Sequence, residues 1–301
     1  MLRWLLLRVY RIPSTPSKPT PTDLGLVAED VTLRAADGRR LHAWFLPAGG
    51  AGFAGGGTAA APGPAVVVMH GWGSAAADLL PAAPALLAAG LSALFVDARG
   101  HGASDPVDFM SMPRFAEDVA TGAAWLRADP RIDADRVGLV GHSVGAGASL
   151  LAAARDPRIA AVVAIAAMAH PAELIRGSKG LAPAPRRIAD RVLATIEATI
   201  GHRFDSFAPV VTIGECTAEV LVVHGLEDTT VPARDAARLV DAGGRRATLR
   251  LVPGAGHREV EPFLPLVPEF ADHLAVALAD APAQPVWPVS LTATREPPGD
   301  G

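Results

Sequence analysis

The sequence predicts an α/β protein with a mostly parallel central sheet, helices on both faces and a small helical cap inserted over one sheet edge. Two observations carry this reading. From Ala65 onward, short apolar runs alternate with longer stretches of helical character, the pattern of repeated strand–helix–strand units. Runs such as Ala65-Val66-Val67-Val68-Met69-His70 and Glu219-Val220-Leu221-Val222-Val223-His224 are apolar and β-branched at consecutive positions. Strands covered on both faces need that composition.

The elements follow in chain order. Residues 1–26 comprise an apolar stretch broken by Arg3, Arg8 and Arg11, then a Pro-rich linker from Pro13 to Asp23 that favours extended chain. The domain proper spans 27–280. It opens with strands at Val27–Arg34 and Arg40–Leu46, joined by the turn Ala36-Asp37-Gly38 as an antiparallel hairpin. Pro47 to Pro64 is a Gly/Ala/Pro-rich surface loop with little to pack. Strands are then expected at Ala65–His70, Leu91–Asp97, Arg136–Gly141, Ile159–Ala166, Ala218–His224 and Ala247–Val252. Helices are expected at Ala75–Ala89, Pro113–Ala128, Val144–Arg155, Pro232–Ala242 and Glu259–Ala279. About 50 residues from Ala167 to Thr217 replace what elsewhere is one helix. With its prolines and the helical run Arg186 to Ile200, this segment (about 168–217) is read as the cap. The tail, 281–301, is Pro-rich and expected to be disordered.

Composition removes several function classes. With 301 residues the chain can bury a substantial core. The net charge is −4 and no Lys/Arg run marks one face, so no nucleic-acid partner is expected. A single cysteine, Cys216, allows neither an internal disulfide nor a cysteine metal cluster, and reads as a small buried apolar residue. Histidine spacing suggests no metal site, and no cofactor motif is present. The N-terminal stretch falls short of the roughly 20 apolar residues of a spanning helix and lacks a signal-peptide cleavage pattern, so the default location is cytoplasmic.

The chemistry concentrates at three strand ends. Gly141-His142-Ser143-Val144-Gly145 directly follows an expected strand and opens an expected helix. A sharp strand-to-helix turn strains the serine backbone and needs neighbours without a Cβ, so this pentapeptide suits an exposed, nucleophilic serine at a nucleophile elbow. A serine hydroxyl is a weak nucleophile at neutral pH and needs a base, which needs an orienting acid. Asp228 lies in the loop after a strand and before a helix; His257 lies just past the next strand, in Pro253-Gly254-Ala255-Gly256-His257. Glu227 is the rival acid, displaced by one position.

The chain order Ser, Asp, His resembles the α/β-hydrolase superfamily over roughly Val27 to Asp280. His70-Gly71-Trp72-Gly73-Ser74 resembles the H-G-x-G loop of that family. Asp97-Ala98-Arg99-Gly100-His101-Gly102-Ala103-Ser104 resembles a D-x-R-G-x-G-x-S segment found in its esterase, peptidase and acyl-hydrolase branches. The resemblance implies a serine hydrolase with Ser143, Asp228 and His257 as its triad. It also implies an oxyanion hole formed by the Trp72 and Val144 N–H groups. An acyl ester is the expected small-molecule substrate, short to medium in chain length. Thioester, amide or acyl-transfer chemistry would use the same parts, and a catalytically silent ligand-binding module is the non-enzyme alternative.

The remaining histidines have simpler roles in this reading. His70, His142 and His224 are expected to make structural hydrogen bonds, His101 to shape a loop, and His273 to lie on the surface. Asp97 is expected to shape a turn. Residues 1–12 carry Leu2, Leu5, Leu6 and Val9 at helical spacing. The stretch either packs on the domain or makes a weak peripheral contact with anionic lipid. Deleting residues 1–21 should leave turnover intact. Lost liposome sedimentation with unchanged melting would indicate the membrane contact, and a lowered melting temperature would indicate docking on the domain.

Overall fold

The computed structural model describes residues 18–49, 61–259 and 261–279. The N-terminal stretch 1–12, most of the Gly/Ala/Pro-rich loop and the tail 281–301 lie outside the described residues. Among the described residues eight strands form one sheet: β1 (Glu29–Arg34), β2 (Arg40–Leu46), β3 (Gly63–Met69), β4 (Ser92–Val96), β5 (Ile132–His142), β6 (Ile159–Ile165), β7 (Glu219–Gly225) and β8 (Ala247–Val252). Their order is β1-β2-β4-β3-β5-β6-β7-β8, antiparallel at the β1–β2 and β2–β4 pairs and parallel from β4 onward.

The helices are α1 (Ala83–Ala88), α2 (Met112–Ala128), α3 (Val144–Arg155), α4 (Pro171–Gly177), α5 (Arg186–Ile200), α6 (Pro209–Glu215), α7 (Arg234–Gly243) and α8 (Val267–Ala279). Strand alternation divides the core into two layers. Val67, Met69, Leu139, Val162 and Val222 point toward Phe115 and Val119 of α2, Leu150 of α3, Ile213 of α6 and Leu239 of α7. Val66, Val68, Phe95, Val163 and Val223 point toward Leu80 and Leu86 and toward Phe270, Leu274 and Leu278 of α8. The sheet is therefore covered on both faces, as its consecutive apolar positions require. Among the described residues no helix is long and apolar enough to cross a membrane.

Several boundaries differ from the sequence expectation, two of them where proline intervenes. Residues 75–89 are not one helix: a 3-10 segment, Ala76–Ala82, contains Pro81 and gives way to α1 with Pro84 in its first turn. The last helix begins at Val267 rather than Glu259, after a 3-10 turn at Leu264–Leu266, because Pro262 and Pro265 lack the N–H groups that a helix interior uses. The first strand starts at Glu29, and the fourth ends at Val96 so that Asp97 turns into the following loop. β5 extends back to Ile132, and α4 and α6, each of seven residues, were not expected. His273 is half-buried, with Nε2 lacking a partner, and burial lowers its pKa. The histidine expected on the surface is thus only partly exposed.

One buried charge organises the loop after β4. Arg99, 2% exposed, directs Nε to Asp118 at 2.8 Å, while its own N–H reaches the other Asp118 oxygen at 2.9 Å. Its remaining nitrogens meet Asp37 at 2.9 Å and Glu117 at 3.0 Å, tying the loop to the β1–β2 turn and to α2. Removing one partner of such a pair strands the other charge away from water. Asp118→Ala should therefore lower unfolding free energy by about 3–5 kcal/mol, measured by urea denaturation at neutral pH.

Candidate active site

β5 ends in the G-x-S-x-G sequence, and the local geometry explains both glycines. A Cβ on Gly141 would lie 2.4 Å from the Gly145 carbonyl oxygen, and one on Gly145 would lie 2.4 Å from the carbonyl oxygens of Met69 and His70. Only backbone without side chains can cross this closely. Between them Ser143 adopts φ 55°, ψ −117°, a conformation that costs an ordinary residue about 1–3 kcal/mol. Its N–H is held by the Ile165 carbonyl at 2.8 Å. The hydroxyl thus stands above the carboxyl edge of the sheet at the N-terminus of α3.

The structure brings Ser143, His257 and Asp228 together from three separate strand ends. Ser143 Oγ lies 2.9 Å from His257 Nε2, and His257 Nδ1 lies 2.7 Å from Asp228 Oδ2. The other Asp228 oxygen accepts the N–H groups of Thr230 and Val231, each at 2.8 Å. Ser143 and Asp228 are buried, each 7% exposed. Burial alone would raise the Asp228 pKa, but hydrogen bonds from His224, His257 and Val231 outweigh it and hold the carboxyl well below the usual carboxylate range. Glu227, the rival acid, is exposed, because the chain reverses at this loop and presents adjacent residues to opposite sides.

The other singled-out residues act on backbone. His142 Nε2 donates to the His257 carbonyl at 2.9 Å, and its pKa falls to about 4, chiefly through burial and then through the neighbouring His257. His224 is fully buried. Its Nε2 donates to the Val231 carbonyl at 2.9 Å and lies 3.4 Å from Asp228 Oδ2, a neighbour that spacing alone did not reveal. Asp97 is buried and accepts from the N–H groups of Ala76 and Ala103 and from His42. Cys216 is buried, and burial pushes its thiol up to about 12, so it offers no thiolate at neutral pH. Among the described residues no cluster of three or more His, Cys, Asp or Glu side chains is arranged to hold a metal ion.

Ser143 and His257 open into a cavity of about 750 Å³, within the range of small-molecule sites. Trp72 and Val144 line it beside the serine. A Cβ on Gly71 would lie 3.2 Å from Ser143 Cβ, so the Gly71–Gly73 loop runs directly against the elbow. The walls are apolar: Phe109, Met110 and Met112 on one side, and Leu174, Ile175, Ile196, Phe204 and Phe207 from the 168–217 insertion on the other. Asp78, Arg258 and Glu261 also line it, and all three are exposed to solvent. Pro19, in the region read as linker, reaches this cavity as well.

Comparison with known proteins agrees with this architecture. A family model described as serine aminopeptidase, S33 matches residues 60–206, a span that includes Ser143 but ends before Asp228 and His257. An uncharacterized protein of Mycobacterium tuberculosis is 29% identical over 255 residues, covering 84% of this chain and 81% of that protein. A polyketide transferase of Stachybotrys chlorohalonatus is 33% identical over 144 residues, 47% of this chain and 45% of the relative. Among solved structures, an esterase of Pyrococcus furiosus superposes with a TM-score of 0.67 at 19% identity, covering 90% of this chain and 97% of the esterase. The sheet order, the elbow geometry and the superposition on that esterase show the α/β-hydrolase fold, and over residues 60–206 the chain is similar to the serine aminopeptidase, S33 family.

Proposed function

We propose that the protein is a serine hydrolase that cleaves an acyl ester by way of an acyl-enzyme. The observation that carries this reading is the hydrogen-bonded series Ser143 Oγ, His257 Nε2 and His257 Nδ1, Asp228 Oδ2, at 2.9 and 2.7 Å, opening into an apolar cavity. His257 takes the Ser143 proton as Oγ attacks the acyl carbonyl. The Asp228 carboxylate fixes the histidine tautomer and stabilises the imidazolium. The N–H groups of Trp72 and Val144 receive the developing oxyanion, aided by the positive end of α3. His257 then gives its proton to the departing alcohol, and a water that it deprotonates releases the acid. The polyketide transferase relative supports a second reading, in which the acyl-enzyme passes its acyl group to an alcohol instead of water.

A fluorophosphonate should label Ser143, and Ser143→Ala should abolish both labelling and ester turnover. Asp228→Asn should lower kcat by about 10⁴-fold with little loss of stability, because it leaves the geometry but imposes the wrong tautomer. Glu227→Gln should be mild. An adduct mapped by mass spectrometry to another serine, or a severe Glu227→Gln defect beside a mild Asp228→Asn, would reverse these assignments.

The cavity walls set a further expectation. Each methylene buried against Met112, Ile196, Phe204 and Phe207 contributes about 0.8 kcal/mol, so kcat/KM should rise roughly fourfold per added CH2 across short and medium acyl p-nitrophenyl esters. A flat profile, or preference for an aminoacyl arylamide over every ester, would contradict an apolar acyl pocket.

A further inference from the structure

If the Trp72 N–H is to receive an oxyanion, the Gly71-Trp72-Gly73 segment must be held still, and its two glycines contribute no side chain to hold it. The Ser74 N–H closes the turn on the Gly71 carbonyl at 3.3 Å, and two buried histidines brace it from the side. His70 Nδ1–H donates to the Gly71 carbonyl at 2.7 Å, while its Nε2 accepts the Ala98 N–H at 3.0 Å. His101 Nε2 accepts the Gly73 N–H at 3.1 Å, and its Nδ1–H donates to the Arg99 carbonyl at 3.2 Å. The two rings lie 4.9 Å apart, Phe115 packs on both, and the Trp72 ring meets His101 edge-on at 6.2 Å.

His101 is itself mounted on a bracket folded around Asp97. The Asp97 carboxylate accepts the Ala103 N–H at 3.0 Å, Ser104 Oγ–H donates to the Asp97 carbonyl at 2.6 Å, and the His101 N–H meets the Ala98 carbonyl at 2.9 Å. A Cβ on Gly102 would overlap the Asp97 carboxylate at 2.1 Å, so the loop wraps that group as tightly as backbone allows. Arg99 anchors the same bracket from below through Asp118.

We propose that His101 is a positioning residue for the oxyanion hole: by accepting the Gly73 N–H it fixes the peptide segment that carries the Trp72 N–H against Ser143, with His70 bracing the other end. This rests on the serine-hydrolase reading above. It also gives the Asp97-to-Ser104 segment a function that its sequence alone did not reveal. Since the Gly73 N–H can only donate, Nε2 must keep its lone pair, which requires the neutral Nδ1–H tautomer. Burial, followed by the charge on neighbouring His70, lowers His101 to about 4, and Asp97 opposes this only in part. Burial lowers His70 too. Both rings therefore keep their acceptor nitrogens at neutral pH.

The test compares His101→Leu, which has no acceptor, with His101→Gln, whose amide oxygen can replace Nε2 and whose NH2 can reach the Arg99 carbonyl. For a p-nitrophenyl ester, His101→Leu should lower kcat by about 10- to 100-fold with KM within about twofold. A trifluoromethyl ketone, which forms an oxyanion on Ser143, should lose affinity in parallel. His101→Gln should restore most of both. Should His101→Leu fail to fold, as judged by thermal melting, His101→Asn carries the same expectation, because its amide is too short to reach Gly73. Wild-type kcat and ketone affinity in a folded His101→Leu or His101→Asn would overturn the proposal. So would a His101→Gln as impaired as His101→Leu, since packing rather than the acceptor would then matter. A wild-type protein that fluorophosphonate does not label at Ser143 defeats the serine-hydrolase reading and this one with it. A labelled, active wild type with indifferent His101 variants defeats this one alone.

Discussion

The close crossing of backbone at Gly141 and Gly145 is the constraint on which the rest of the molecule depends. With no Cβ at either position, the first turn of α3 passes within contact of the ends of β3 and β5, and Ser143 is forced to φ 55° between them. That strain persists because both flanking elements are over-determined. β5 lies between β3 and β6 in the middle of the sheet, and Ala146, Ala148, Leu150 and Leu151 of α3 are buried to 2% exposure or less. The small cost of one unfavourable dihedral is spread against two well-packed elements.

The polar groups at the carboxyl edge show one residue type used in two ways. Asp97 follows β4 and Asp228 follows β7. Asp97 is enclosed by N–H groups and by His42, so its charge binds loops to one another. Asp228 gives one oxygen to the N–H groups of its own loop and leaves the other to His257 and His224. Both carboxyls are held below the usual carboxylate range despite burial, because the donors around each outweigh the loss of water. Each carboxylate faces an imidazole, and the difference in role comes from what that imidazole meets next: His42 leads to Asp30, whereas His257 leads to Ser143 Oγ.

The 168–217 insertion does two jobs that its sequence does not separate. α4 and α5 give Leu174, Ile175, Ile196 and Ile200 to the cavity wall, whereas α6 joins the helix layer beside α3 and α7, with Thr212 and Ile213 buried. The insertion is thus partly cap and partly scaffold. Three methionines, Met110, Met112 and Met168, line the cavity with these residues, and their unbranched side chains suit an apolar wall that adapts to acyl groups of differing shape.

Much of this was legible in the sequence because it depends on local rules. Consecutive β-branched residues require strands covered on both faces, and the boundaries of α3 and α5 coincide with their apolar and helical runs at Val144–Arg155 and Arg186–Ile200. The elbow is a strand, a turn and a helix within a few residues, so Gly141, Ser143 and Gly145 announce it without help from the rest of the chain. Proline at 81, 84, 262 and 265 blurred the ends of two helices, since a helical composition continues through residues that cannot make the helical hydrogen bonds. What the tertiary structure alone decided is that His224 lies against Asp228 and that His101 reaches the Gly73 amide across 28 residues. These depend on the direction in which a loop leaves the sheet edge and on distances between segments far apart in the chain. Spacing along a sequence carries no information about either.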